Sequence, residues 1–483
     1  MRDSQKTKGR PPGRLLGLTA AVGLITLVWT PLDAQTSPQG YRELARAMFE
    51  ELIEIDTTDS TGDSAEAARA MAAHLLAVGF PEDDVRVLVE APRKGNLVAR
   101  LRGRDTGRKP LLLLAHLDVV EADPADWSVD PFVFLERDGY YYGRGTTDDK
   151  AQAVIHVANL IRLKQEGFVP ERDIIVALTS DEEGGTNNGV IWLLANHREL
   201  IEAGLALNEG GGGALKDGKR LSNSVQLSEK VYQSFTLEVT NPGGHSSLPR
   251  SDNAIYRLAA GLVRISEHAF PVELNEVTRA YFSRSAALAS PDIAAAMAGL
   301  LADPPKTGAV ATLAAVPAYN ARMRTTCVAT QLHAGHAENA LPQRAQAVVN
   351  CRLLPGADPE EVLATLERVM DDPEISVTPI QSATPSSPSP LTPEILDAIE
   401  RTTDEMWPGV PVIPTMSTGA TDGLYLRNAG IPVYGVSGIF GEIDDVRAHG
   451  RDERISIRSF YEGQEFLYRL TKRLAGSEGP DSQ

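Results

Sequence analysis

Residues 111–118 have the sequence Leu-Leu-Leu-Leu-Ala-His-Leu-Asp, an uninterrupted apolar run that ends in His116 and Asp118. A short strand that is apolar on both faces is typical of a sheet covered by helices on both sides. A second such run, at 173–180, leads directly into the three consecutive acidic residues 181–183. Ligands bind α/β sheets at the ends of such strands. The two runs therefore predict an α/β domain with a ligand site at one sheet edge.

The surrounding chain supports a two-domain organisation. Helical and strand patterns alternate over 35–230, which predicts a catalytic domain with a mixed sheet flanked by helices. From Val231 the pattern changes to half-exposed strands, and we predict a smaller inserted α+β domain over 231–384. Its stretch 268–322 is Ala-rich and weakly patterned. A Pro/Ser-rich linker marks the exit, and 385–483 returns to the first domain.

The first 34 residues have the order of charges expected of a secretory signal. Five basic residues precede the uncharged, mostly apolar stretch from Leu15 to Trp29, and Ala34 follows at a candidate cleavage point. The prediction is a periplasmic or secreted protein. An uncleaved membrane anchor is the alternative, although the apolar run is short of the roughly 20 residues of a spanning helix.

The composition narrows the range of partners and ligands. A formal net charge of -18 predicts that the surface repels nucleic acid and anionic membranes, so we expect no nucleic-acid partner and no membrane contact after signal cleavage. The chain has two cysteines, Cys327 and Cys351, and neither lies in a metal-type cysteine cluster. Any metal must therefore be held by His and carboxylates. In an exported protein the two cysteines could pair.

Further clusters of His, Asp and Glu follow along the chain, and each has an ordinary structural explanation. Asp148 opens a helix after a Gly-rich turn, where a capping carboxylate is equally expected. Glu209 begins a flexible Gly run, and His449 lies in a charged turn. The acids at 181–183 could form a solvated surface loop. The chain has no Gly-x-Ser-x-Gly elbow, no Walker loop and no His-Glu-x-x-His helix, which disfavours those enzyme classes.

Taken together, the order of these clusters resembles the zinc-dependent aminoacylase/carboxypeptidase metallopeptidase family, which also includes carboxypeptidase S and carnosinase-type dipeptidases. The resemblance extends from about residue 41 to about residue 475. It implies two zinc ions per chain, with these ligands: His116 and Glu209 on one ion, Glu183 and His449 on the other, and Asp148 bridging both.

The resemblance also implies roles for other residues. Glu182 would be the general base, Asp118 would orient His116, and His245 of the inserted domain would stabilise the oxyanion. Substrate contacts would come from three side chains: Asn339, Arg352 and Arg427. Family members often dimerise through the inserted lid domain, so a homodimer is possible.

The implied activity is hydrolysis of the amide bond of a small peptide next to a free C-terminal carboxylate. The alternative within the family is deacylation of an N-acyl amino acid. A non-catalytic binding protein with the same fold is a third possibility, which the complete ligand set disfavours.

Overall fold

The large sheet is the centre of the catalytic domain. This computed structural model describes residues 37–105 and 107–476. Neighbouring strands of the large sheet follow the order β1-β2-β6-β3-β7-β17-β9-β8-β18, and β16 also pairs with β9. The predicted signal at 1–34 lies outside these residues. The strands are β1 (Val85–Ala91), β2 (Lys94–Leu101), β3 (Leu111–His116), β6 (Ile174–Thr179), β7 (Leu205–Asn208), β8 (Gly213–Lys216), β9 (Lys219–Glu229), β16 (Val412–Ser417), β17 (Val433–Gly435) and β18 (Phe440–Glu442).

The middle of this sheet is parallel and buried on both faces, as the apolar runs predict. β3 runs parallel to both β6 and β7, and every residue of β3 and β6 is buried. The outer pairs β1–β2 and β2–β6 are antiparallel, so the sheet is mixed.

Helices pack on both faces of the large sheet. One face carries the larger apolar core, with the second core on the other face. The helices of this domain are α1 (Pro38–Glu54), α2 (Ser64–Ala77), α3 (Lys150–Gln165), α4 (Gly189–Asn196), α5 (Arg198–Ile201), α12 (Pro393–Met406), α13 (Gly423–Asn428) and α14 (Ile457–Ala475). None of the helices in the described ranges combines the length and apolar content needed to cross a bilayer.

A smaller antiparallel sheet forms the inserted domain. Its strand order is β12-β14-β10-β15, and a two-residue ladder, β11–β13, projects beside it. The elements are β10 (Val231–Thr240), β11 (Gly244–His245), α6 (Ala254–Glu267), β12 (Thr326–Ala334), β13 (Ala340–Leu341), β14 (Arg344–Leu353), α11 (Pro359–Met370) and β15 (Ser376–Pro379). Along β14 buried and half-exposed residues alternate, so only one sheet face packs against α6 and α11. Cys327 and Cys351 are directly opposite on β12 and β14 and form the predicted disulfide.

The Ala-rich stretch forms a helical segment with a core of its own. It comprises α7 (Glu276–Ser285), a 3-10 turn, α8 (Pro291–Leu300), α9 (Thr307–Ala314) and α10 (Pro317–Met323). Phe282, Met297 and Met323 are fully buried within it. Because Ala dominates its sequence, the apolar periodicity is weak, yet α7 packs on β16 of the large sheet. This segment therefore packs against the large sheet.

A small third sheet brings distant parts of the chain together. β5 (Tyr140–Tyr142) pairs with β4 (Leu135–Arg137) on one side and with β19 (Arg454–Ser456) on the other. This pairing holds the loop before α3 against the loop between β18 and β19.

Candidate active site

Three parallel strands end at the same sheet edge, and a candidate ligand lies at or just after the end of each. His116 is the last residue of β3 and lies opposite Thr179, the last residue of β6. Glu182 and Glu183 follow β6 in a tight loop, and Glu209 follows directly after β7. The carboxyl ends of parallel neighbours meet at one edge, which is why these residues converge.

Asp148 lies between two imidazoles, one from before and one from after the inserted domain. Its Oδ1 is 3.0 Å from Nε2 of His116, and its Oδ2 is 3.2 Å from Nε2 of His449. His449 Nε2 is also 2.9 Å from Oε1 of Glu183. Each Asp148 oxygen thus faces a different histidine, as a carboxylate that bridges two cations would.

Two groups of potential metal ligands share His116. In the first, donor atoms of His116, Asp148 and Glu183 lie within 4.8 Å of one another. In the second, the same holds for His116, Glu182 and Glu209. The structure therefore brings together all five predicted metal ligands and the predicted general base.

The electrostatics of the cluster favour a bound cation. Burial raises the pKa of the Glu182 and Glu209 carboxyls well above their usual value, and burial followed by the charge of Asp148 raises the pKa of Glu183 to about 7. The hydrogen bond to Asp148 raises the pKa of His449 to about 9. So many acidic groups at a buried strand end need compensating positive charge. The His and carboxylate donor set fits zinc.

Asp118 holds the glutamate loop as well as His116. Its backbone carbonyl lies 2.9 Å from Nδ1 of His116, while its carboxylate is 3.6 Å from the same nitrogen. The two carboxylate oxygens accept the backbone N–H groups of Glu182 and Glu183, at 3.1 and 2.9 Å. The predicted orientation of His116 is thus made mainly by the carbonyl.

Glu453 anchors the turn that carries Asp148, and the sequence analysis missed it. The side chain is fully buried and accepts hydrogen bonds from Arg144 Nη1 at 2.7 Å and from the backbone N–H of Gly145, Thr147 and Asp148. Its position in a run of charged residues suggested an exposed turn. The only sequence signal was its place four residues after His449.

Asp181 and Asp422 complete the surroundings of the glutamate loop. Asp181 has a left-handed backbone with φ of 55° and pairs with Lys94 Nζ. Oδ1 of Asp422 accepts a hydrogen bond of 2.6 Å from the amide of Asn188, and burial raises the pKa of Asp422 to about 7. Asp422 had no predicted role.

The predicted substrate contacts lie away from the ligand cluster. His245 and Asn339 are exposed neighbours at the β11–β13 ladder, where the N–H of Ser246 donates to the Asn339 carbonyl. Neither side chain has a hydrogen bond or ion pair with the cluster within the described ranges. Arg352 is half-exposed on the open face of the inserted sheet, stacked on Tyr232 with 4.7 Å between Cζ and the ring centroid.

Arg427, the third predicted substrate contact, lies in a buried network. Its side chain is buried, pairs with the Glu229 carboxylate and donates to Ser386 Oγ at 3.0 Å. Glu229 in turn accepts hydrogen bonds from Thr421 and Gln226. With its donors committed to a buried network at the domain junction, Arg427 has a structural role here, and its contact with substrate stays a prediction.

Besides a groove of about 470 Å³ lined by Asp118, Glu183 and His449, two cavities begin beside the ligand loops. The first, of about 720 Å³, touches the neighbours of three ligands, namely Thr147, Gly210 and Ala448. The second, of about 490 Å³, shares Gly210 with it and extends toward the helical segment.

These features define a metal-dependent hydrolase, and the comparisons place the chain in a family. The model of peptidase family M20/M25/M40 matches residues 112–473. The chain belongs to this family. The N-fatty-acyl-amino acid synthase/hydrolase PM20D1 of Xenopus tropicalis is 32% identical over 74% of this chain and 71% of its own length. The probable carboxypeptidase S-like 2 of Dictyostelium discoideum is 30% identical over 82% of this chain and 78% of its own.

Solved structures agree on the fold. An M20 family metallo-carboxypeptidase from Sulfolobus solfataricus superposes with a TM-score of 0.65 at 19% identity, over 89% of this chain and 99% of its own. Human carnosine dipeptidase 1 gives a TM-score of 0.62 at 16% identity, over 92% of this chain and 99% of its own. The predicted family and fold class are confirmed.

Proposed function

We propose that the protein is a two-zinc hydrolase that cleaves the amide bond of a small peptide next to a free carboxylate. The observation that carries this proposal is Asp148, whose two oxygens face His116 and His449 at 3.0 and 3.2 Å. His116, Asp148 and Glu209 would hold one ion, and Asp148, Glu183 and His449 the other. Bound zinc would supply Lewis-acid activation of water and of the scissile carbonyl.

Glu182 is the proposed general base. It is half-buried among the ligands but, unlike Glu183, has no contact with His449 among the hydrogen bonds of the described residues. Burial raises its pKa, which suits a carboxylate that takes a proton from water and returns it to the leaving nitrogen. Its backbone N–H is fixed by Asp118, so the side chain starts from a defined position.

His245 is proposed to stabilise the oxyanion from a neighbouring subunit or after domain closure, because it is exposed on the inserted domain. A homodimer through that domain is part of the proposal. It is supported by β12, an edge strand whose Val328 and Leu332 are 60% and 59% exposed. Exposed apolar edge strands tend to pair with another chain.

The first cavity favours a second candidate, deacylation of N-acyl amino acids with a large apolar acyl group. Leu215, Ile439, Phe440, Ile443 and Val446 contribute to its wall. The arginines at its rim are already paired, for example Arg454 with Asp445 at 2.6 Å. Most of the wall surface is apolar, which suits an alkyl chain. The name of the Xenopus relative, an N-fatty-acyl-amino acid synthase/hydrolase, points the same way.

A substrate comparison tests both proposals on zinc-loaded protein. We would compare kcat/KM for three substrates that end in the same amino acid. The first is a dipeptide with a bulky apolar first residue, and the other two carry a long-chain acyl group or an acetyl group in place of that residue. Each acid is paired with its C-terminal amide. Hydrolysis of the acids well above the amides supports the function, and preference for the long-chain acyl acid selects the deacylase. Equal rates for acids and amides would contradict the proposed carboxylate requirement.

We also propose that the protein is exported and periplasmic or secreted, on the evidence of the charged and apolar pattern in residues 1–34. Mass measurement on protein recovered from its native host distinguishes a cleaved signal from an anchor. Loss of about 34 residues supports cleavage, whereas an intact N-terminus in the membrane fraction indicates an anchor.

A further inference from the structure

The second cavity is lined very differently from the first. One wall comes from the helical segment, through Tyr281, Tyr319 and Arg322. The opposite wall is rich in hydroxyl groups at the end of β16, including Ser417 and Thr418. Gly210, which follows the ligand Glu209, lies where the two cavities meet.

Arg322 is a cation without an acidic partner. Its Nη1 donates to the carbonyl of Ala318 at 2.9 Å, and its guanidinium lies 4.8 Å from the ring centroid of Tyr281. Its Nε is buried and has no hydrogen-bond partner. No acid in residues 37–105 or 107–476 forms an ion pair with it. The guanidinium is half-exposed toward the cavity, has no counter-charge and keeps one unsatisfied buried N–H, so this position is suited to an incoming anion.

Two further basic side chains lie close by. The backbone N–H of Lys230 donates to Ser417 of the cavity wall at 3.0 Å, and its Nζ donates to Thr326 Oγ1 at 3.0 Å. Thr326 is directly opposite Arg352 in the inserted sheet. Lys230 and Arg352 likewise lack an ion pair with any described acid. The neighbouring acid, Glu229, is already paired with Arg427.

We propose that the second cavity receives the leaving amino acid of the substrate and that Arg322 binds its carboxylate. This inference rests on the proposed hydrolase function. With the scissile amide at the ligand cluster, the acyl side extends into the apolar cavity, and the amino-acid side extends past Gly210 toward Arg322. The guanidinium offers paired hydrogen bonds that match a carboxylate. The helical segment therefore determines specificity at the leaving-group side.

The test compares Arg322→Gln and Arg322→Lys with wild type, using an acid substrate and its C-terminal amide. Loss of one charge-assisted interaction corresponds to a decrease of about 10- to 100-fold in kcat/KM. We expect Arg322→Gln to show that decrease on the acid and almost none on the amide, and Arg322→Lys to recover part of it. Arg279→Gln is the matched control, because Arg279 is exposed on α7 of the same segment.

The outcomes separate the inference from the function on which it rests. If wild type does not discriminate between acid and amide, the proposed function fails. If wild type discriminates and Arg322→Gln keeps the same acid-to-amide ratio, the function stands and the role of Arg322 is overturned. A parallel decrease on both substrates, with an unchanged ratio, also overturns it, because that is the effect of a purely structural residue. Competitive inhibition by the free amino acid should weaken in Arg322→Gln alone.

Discussion

The carboxylate of Glu453 accepts the backbone N–H of Asp148 at 3.2 Å, so the segment that provides His449 also holds the bridging ligand in place. The same carboxylate is paired with Arg144 at 2.7 Å and is shielded completely from solvent. The two halves of the catalytic domain, separated by the inserted domain, therefore meet directly behind the proposed metal site.

Glu453→Gln should destabilise the protein and weaken metal binding. The amide would present N–H groups to donors and leave Arg144 buried without its counter-charge, which typically costs about 3–5 kcal/mol. We expect a lower free energy of unfolding and a lower metal content after dialysis. Glu54→Gln is the control, since Glu54 is exposed on α1. Wild-type stability and metal content in the Glu453 variant would show that the anchor is dispensable.

Metal removal should abolish activity and lower the melting temperature. A ligand that binds only the folded state stabilises it by mass action. We expect two zinc ions per chain by elemental analysis, fewer in His116→Ala and in His449→Ala, and the largest loss in Asp148→Asn. Chelation followed by zinc should restore turnover. At most one tight ion in pure wild type would contradict the bridged site.

Glu182→Gln should lose about 10²- to 10⁴-fold in kcat with little change in metal content, because one general base typically contributes that much. The comparison variant is Glu183→Gln, which removes the negative charge that faces His449 at 2.9 Å and should lower zinc content. If zinc is lost in the Glu182 variant and kept in the Glu183 variant, the two roles are exchanged.

The Cys327–Cys351 bridge should leave no free thiol when the denatured protein is titrated without reductant. The bridge joins residues 24 positions apart, and replacing both cysteines by Ala should lower stability by about 2–4 kcal/mol. Chemical denaturation measures the difference. Two thiols per chain in protein from an oxidising compartment would be evidence against the bridge.

His156 should make stability fall in acid. It is buried within α3, and burial lowers its pKa from 6.5 to about 3. Below pH 6.5 the His156 side chain binds a proton in the unfolded chain, but in the folded protein it does so only near pH 3. The free energy of unfolding therefore falls progressively across that range.

His156→Leu should reduce this loss. Denaturation of metal-free wild type and variant at several pH values isolates the effect, because both proteins lack the ion. Identical slopes of stability against pH would assign the acid sensitivity to other groups.

The sequence predicted most of the fold because β3 and β6 are strongly patterned. Their unbroken apolar runs, each followed by acids or His, indicated parallel buried strands with ligands at their ends. The order of the His, Asp and Glu clusters along the chain indicated the family. The helical segment was not predicted, because Ala-rich helices give weak apolar periodicity and the packing of Phe282 and Met297 is a tertiary property.

The contacts of the candidate site that the sequence did not indicate have a similar cause. Arg427 has the sequence surroundings of a substrate-binding arginine, and only the three-dimensional structure reveals its pairing with Glu229. Glu453 was overlooked for the opposite reason, since a charged run gives no sign that one of its members is fully buried. Partners more than 190 positions apart cannot be recognised from local pattern.

The positions of the ligands along the chain also set an order for assembly during synthesis. His116, Asp148, Glu183 and Glu209 are all translated before the inserted domain, whereas His449 follows it in a chain of 483 residues. A nascent chain that has not yet passed the inserted domain therefore has four of the proposed ligands but lacks the fifth. Only after the inserted domain has been translated can His449 join the other four, so the proposed site closes around a domain that is already synthesised.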